Sequence, residues 1–308
     1  MDISGTTISG IKINTIPPAA PGITWTKTTS NLTSSNWIDV VWTGSQFLAL
    51  SRSGLTTTSS DGTTWTTPVQ GPSNTVQWQE LAYESTSGRY LAVAANSDAG
   101  SYSDNGTSWT AVTLPNGGSN WYVTAGAGAF VLIAPFQGFW RSTTGATGSW
   151  TQTKAAFSYR AVTFGNGNFI ATGGFSGSEI SADGTTWTAS STAPANPGWW
   201  SVAAGNGLYV VNDENTSTSL WYSSNGLDWT EATNVSPGVA TIVYGLNRFA
   251  AFPRNSADTW VLASTNGSTW TTATLPDTYE IQGGASSGSA IVALAQNTAY
   301  GVRGTLSS

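Results

Sequence analysis

Seven Trp-Thr pairs set about 40 residues apart, six of them closing one repeated turn phrase, predict an all-β fold: a closed seven-bladed propeller built from four-stranded antiparallel blades. The tryptophans are Trp25, Trp65, Trp109, Trp150, Trp187, Trp229 and Trp270, at intervals of 40, 44, 41, 37, 42 and 41 residues. One four-stranded blade takes about 40 to 45 residues, so each interval is one blade. The phrase reads Ser-x-(Asp/Asn)-Gly-x-x-Trp. It runs from Ser59 through Asp61 and Gly62 to Trp65, and returns around Asn105, Asp183, Asn225 and Asn266. Blade three carries a longer version, from Ser142 through Gly145 to Trp150.

Blade one shows how the elements follow from local sequence. Trp37 to Trp42 is an apolar first strand, and Thr43 to Gln46 is a turn. Phe47 to Leu50 is an almost wholly apolar second strand, as expected for a strand packed between neighbouring blades. Arg52 to Leu55 forms a loop, and Thr56 to Ser60 is a Thr-rich third strand. Asp61 and Gly62 carry the signal of a two-residue type I′ hairpin, and Thr63 to Thr66 then makes the fourth strand. Second strands recur at Leu91 to Ala94, Phe130 to Ile133, Phe169 to Ala171, Leu208 to Val211, Phe249 to Phe252 and Ala290 to Leu294.

After Trp270 only three strands remain, around Ile281, Ile291 to Leu294, and Tyr300 to Arg303. No eighth turn phrase follows them. The missing outer strand is residues 22–26 at the other end of the chain, and pairing it with the last strands closes the ring and removes two open sheet edges. Residues 22–308 therefore form the propeller, with blade seven shared between 22–26 and 271–308. Residues 1–21 are left as an extended arm with Ile3, Ile8, Ile11, Ile13 and Ile16 among polar residues, followed by Pro17, Pro18 and Pro21. Such an arm adds to the sheet of another protein, folds across its own propeller or stays loose in solution.

Composition narrows the function classes. Charged residues are only 8%, yet sixteen tryptophans in 308 residues argue for a packed core rather than disorder. A net charge of −6 with ten basic residues scattered over the chain speaks against nucleic acid as a partner. With no Cys and no His, thiol chemistry, disulfides and imidazole catalysis are excluded. No apolar run is long enough to enter a membrane as a helix. A Thr/Ser/Asn/Trp-rich, Lys-poor chain with no secretory leader pattern at Met1 is expected outside a cell or on a virion surface. Residues 96–98 and 212–215 offer oxygen ligands but not the spacing of a calcium loop, so neither a metal nor a cofactor is expected.

The turn phrase resembles the Asp-box, Ser-x-Asp-x-Gly-x-Thr-Trp, of sialidases and related BNR-repeat propellers, one residue shorter because Asp or Asn touches Gly directly. In that family the boxes lie on outer hairpins away from the active site, so Asp61, Asp183 and their Asn equivalents are expected to form turns. A sialidase-like site, as the resemblance implies, needs three arginines gripping a carboxylate, a Tyr nucleophile paired with Glu, and an Asp. No Arg-Ile-Pro motif occurs here. Arg52, Arg160 and Arg254 are the arginines expected near one face, with Tyr159 and Glu179 close together in blade four.

A second aromatic series enters the first strands: Trp37, Trp78, Trp121, Tyr159, Trp199 with Trp200, and Tyr279, with only blade six lacking one. Two readings of it stand. The side chains wedge between neighbouring blades, or they form a ring of stacking platforms for sugar rings at one face, with Trp200 as the member from blade five. The expected function is accordingly a non-enzymatic propeller that binds surface glycans, or attaches to a fibre, tail or capsid protein through residues 1–21. A sialidase-like glycoside hydrolase and a ligand-free virion decoration protein are the alternatives.

Overall fold

The computed structural model describes residues 22–28, 32–33, 35–115, 120–155, 158–173, 177–190, 198–213, 219–233, 235, 238–296 and 298–307. The arm of residues 1–21 lies outside them. Seven four-stranded antiparallel sheets stand in a ring, and no helix occurs among the described residues. First strands line the axis at Trp37–Trp42, Trp78–Glu84, Tyr122–Gly126, Ala161–Gly165, Trp199–Gly205, Val239–Gly245 and Ile281–Ser286. The second strands are almost wholly buried, as in Phe47–Ser51 and Ala129–Ala134, because both faces meet another sheet.

The ring closes as expected. Ile23–Thr28 pairs with Gly301–Leu306, Trp25 standing opposite Gly304, and completes blade seven as its outer strand. Lys27 reinforces the joint: its Nζ bonds Asp277 at 2.6 Å and lies 3.5 Å from the centre of the Tyr300 ring.

The turn phrase departs from expectation in an instructive way. All five Asp/Asn-Gly glycines have positive φ, from 71° at Gly267 to 76° at Gly106, but none of the preceding Asp or Asn residues does. A type I′ turn needs both, so these are not two-residue hairpins. Each is a wider turn held by its own side chains. In blade one the Ser59 Oγ accepts from Gly62 N at 2.8 Å, while Asp61 Oδ1 accepts from Thr63 N at 2.7 Å and Thr64 N at 2.8 Å. The outer strand of blade one is accordingly not Thr63 to Thr66 but Val69–Gln70, beyond Trp65. True I′ geometry occurs between first and second strands instead, at Asn166-Gly167 and Asn206-Gly207, where both residues have positive φ.

The glycine of each box also faces the preceding blade. A Cβ on Gly62 would meet Val292 of blade seven at 2.3 Å, on Gly106 Leu48 of blade one at 2.4 Å, and on Gly184 Val131 of blade three at 2.8 Å. The box is thus a peg between blades as well as a turn.

Candidate functional site: the axial channel

The first strands of all seven blades enclose an axial channel of about 630 Å³. Its chemistry is set by bulges. In blades one, two, five, six and seven the pairing of first and second strand slips just after Trp37, Trp78, Trp199, Val239 and Ile281. A bulge inserts a residue and re-aims its neighbours. Here it leaves the aromatic or aliphatic residue in the wall and brings the following residues to the channel.

That geometry decides between the two readings of the aromatic series. Trp37, Trp78, Trp121, Tyr159 and Tyr279 are all buried, and so is Trp199. Each sits in a joint between blades: Trp37 with Phe47 and Val292, Trp78 with Leu48 and Leu50, Trp121 with Leu91 and Val93, and Tyr279 with Phe252. These five are therefore wedges, and the expectation that they form an open ring of sugar platforms is corrected. Trp200 alone of the series is exposed, at 40%, because the blade-five bulge turns it outward beside the buried Trp199.

The three arginines behave differently. Arg52, Arg160 and Arg254 all line the channel. They sit at the end where the first strands begin: Arg52 follows the second strand of blade one and its carbonyl accepts from Trp78 N, whereas Arg160 directly precedes Ala161–Gly165. Arg254 follows Pro253 and its N–H bonds Gly238 O. Arg52 and Arg160 make no ion pair among the described residues, and the Arg160 guanidinium lies 5.3 Å from the centre of the Trp200 ring. Three other arginines have structural work. Arg89 grips Asp104 through two nitrogens, and Arg141 and Arg303 donate to the backbone carbonyls of Asp183 and Asp61 in neighbouring boxes.

Tyr159 and Glu179 do form a couple, the phenol donating to Oε1 at 2.9 Å with Lys154 Nζ also 2.9 Å away. Both residues are buried between blades three and four and neither lines the channel, so a ligand at the arginines does not meet them.

Sequence reasoning missed two channel residues, Asp39 and Glu80. Asp39 Oδ2 accepts from Leu81 N of the next blade at 3.0 Å, and Glu80 Oε2 accepts from Val123 N of the blade after at 2.5 Å. Ser201 repeats the device toward Ile242 N at 3.2 Å. Burial pushes Asp39 up to about 7 against the bonds from Leu81 and Val40, and holds Glu80 well above the usual carboxylate range with the Asp39 charge adding to the shift. The signal was present in the sequence: an acid two residues after the tryptophan that opens each of two adjacent first strands. Among the described residues no group of three or more metal-ligating side chains comes together.

No protein-family model and no curated protein sequence matches this chain. Among solved structures it is similar to virginiamycin B lyase from Staphylococcus aureus, at 13% identity over 93% of this chain and 100% of that one, with a TM-score of 0.78. It is similar to YCF48 bound to D1 peptide, at 14% identity over 92% and 97%, with a TM-score of 0.67. A GH74 enzyme from Niastella koreensis matches at 19% identity over 88% of this chain and 43% of that one, also at a TM-score of 0.67. At these identities the likeness shows the propeller and nothing finer. It nevertheless overturns the expectation of a non-enzymatic module: structures that share this fold across nearly the whole chain include a lyase, so the architecture gives no ground for excluding catalysis.

Proposed function

We propose that this chain binds a carboxylate-bearing sugar, as a free sugar acid or as part of a glycan, at the arginine-lined mouth of its axial channel. One observation carries the reading. In a protein of net charge −6, Arg52 and Arg160 stand in one channel without an acidic partner among the described residues. A planar guanidinium fork matches a carboxylate, and an unpaired one in a recess is a standing preference for an anion. Trp200, exposed beside Arg160, offers an apolar face to a sugar ring, and Gln79 and Gln282 in the same lining offer amides to its hydroxyls. The Asp-box resemblance supports the sugar, and the composition supports a place outside the cell or on a virion surface. Residues 1–21 are then the proposed attachment to a fibre, tail or capsid protein.

The test is titration calorimetry with N-acetylneuraminate and glucuronate, run beside their methyl esters, a neutral glucoside and inorganic phosphate. A glycan-array screen and an assay of sialoside hydrolysis on the same preparation extend it. The acids should bind, the esters and glucoside should not, and Arg52→Ala or Arg160→Ala should weaken binding about tenfold or more, the scale of a lost charge-assisted contact. Equal binding of acid and ester, or phosphate alone binding, overturns the proposal.

A further inference from the structure

Asp39 and Glu80 occupy the same place on adjacent first strands, but they use their oxygens differently. Asp39 commits both: Oδ1 accepts from Val40 N at 2.8 Å and Oδ2 from Leu81 N at 3.0 Å. Glu80 commits one, Oε2, to Val123 N. Its Oε1 takes no hydrogen bond from the described residues, and the side chain lines the channel and is partly exposed there.

A carboxyl group carries its proton on the oxygen that is not accepting an N–H. For Glu80 that oxygen is Oε1. Asp39 has no such oxygen unless it gives up a backbone bond, so of the two it is Asp39 that ionises first, and its charge then opposes ionisation of Glu80. Burial and that charge act in the same direction on Glu80. The other charged and titratable groups of the channel are Glu280, the three arginines, and the phenols of Tyr122 and Tyr244. The arginines alone favour the ionised acid, and in the proposed complex they face the carboxylate of the ligand.

The geometry points to Glu80 as the hydrogen-bond donor of the channel site, a neutral carboxyl whose Oε1–H meets a hydroxyl or carbonyl oxygen of the bound sugar acid. This rests on the sugar-acid reading above and adds a second point of recognition to it. The arginines select a carboxylate, and Glu80 selects an acceptor oxygen deeper in the channel. Because the donor is a titratable group, the complex weakens as pH rises through the raised pKa of Glu80, while the carboxylate of the ligand stays ionised throughout.

The experiment measures N-acetylneuraminate and glucuronate affinity for the full chain at a series of pH values from the ordinary carboxylate range upward. Wild type should lose about tenfold in affinity across it, one hydrogen bond exchanged for a repulsion. Glu80→Gln keeps a donor and an acceptor, so it should bind with a flat pH profile. Glu80→Ala should bind about tenfold more weakly at the acid end. Carbon-13 NMR of the Glu80 carboxyl, assigned by its absence in Glu80→Gln, reads the free protein without any ligand. It should remain protonated above the usual carboxylate range and shift when either sugar acid binds. A flat wild-type profile, or titration of Glu80 in the ordinary range, overturns the donor role and leaves the sugar-acid reading standing. Failure of both sugars to bind at every pH overturns that reading and the donor role with it.

Discussion

Three glycines with nearly the same backbone separate strain from packing. Gly207, Gly145 and Gly62 have φ of 71°, 69° and 73°, so an alanine at each suffers the same left-handed strain. That strain is about 1–2 kcal/mol, offset by about 0.4–1 kcal/mol from the stiffer unfolded chain. The space around them differs. A Cβ on Gly207 meets nothing within 4 Å; on Gly145 its nearest neighbour is Phe130 at 3.5 Å, an ordinary contact; on Gly62 it meets Val292 Cγ2 at 2.3 Å. Val292 is fully buried in the second strand of blade seven and cannot swing aside into solvent. Overpacking of that kind adds about 1–3 kcal/mol. Gly207→Ala and Gly145→Ala should therefore cost about 0.5–1 kcal/mol each, and Gly62→Ala about 2–4 kcal/mol. Guanidinium unfolding of the three variants reads the difference from midpoint and slope. Val292→Ala removes the clashing methyl, so Gly62→Ala combined with Val292→Ala should show a coupling of at least about 1 kcal/mol, whereas uncoupled sites add to within about 0.5 kcal/mol. A Gly62→Ala variant as stable as Gly207→Ala, or strict additivity with Val292→Ala, would refute the idea that each box pegs one blade to the next.

Further outcomes follow from the same structure. Trp121→Ala should destabilise the protein by about 3–5 kcal/mol, since the indole is fully buried against Leu91 and Val93; an unchanged melting temperature would show that it is not a wedge. Deleting residues 1–26 removes four of the six residues of the strand that pairs with Gly301–Leu306 and should lower the melting temperature far more than deleting residues 1–18; equal melts would contradict ring closure by that strand. Stability should peak between about pH 4 and pH 7. The raised pKa of Asp39 gives a contribution that is complete below its free-chain value of 3.8 and lost as pH rises through about 7. Asp61, held down by the Thr64 N–H, and Asp104, held down by Arg89, contribute above 3.8 and lose that contribution as pH falls. Asp39→Asn should flatten the loss on the neutral side in a series of melts against pH, and an unaltered slope there would remove Asp39 from the account.

How far the sequence could be read depends on the range of the interaction that decides each feature. Ring closure was legible because it is a matter of counting: seven Trp-Thr pairs, six boxes and one outer strand short, with residues 22–26 the only strand left to fill the place. The positive φ of the box glycines was legible because it is local. The turn type was not, because Asp61 folds its carboxylate back onto Thr63 N and Thr64 N, and that side-chain closure replaces the dihedrals that a bare Asp-Gly pair suggests. The aromatic series shows where pattern fails. Trp199 and Trp200 are neighbours of identical chemistry, one buried and one exposed, and the slip of register against Asn212 that parts them is a property of the pair of strands. A bulge of this kind moves a residue from wall to channel without leaving a mark in composition. Arg52, Arg160 and Arg254 line the channel because all three fall at strand ends on the side where the first strands begin. Asp39 and Glu80 were overlooked because a single acid in a first strand reads as incidental, whereas here its repetition at the same position of adjacent blades, each acid reaching an N–H of the next blade, is what gives the channel its polar wall.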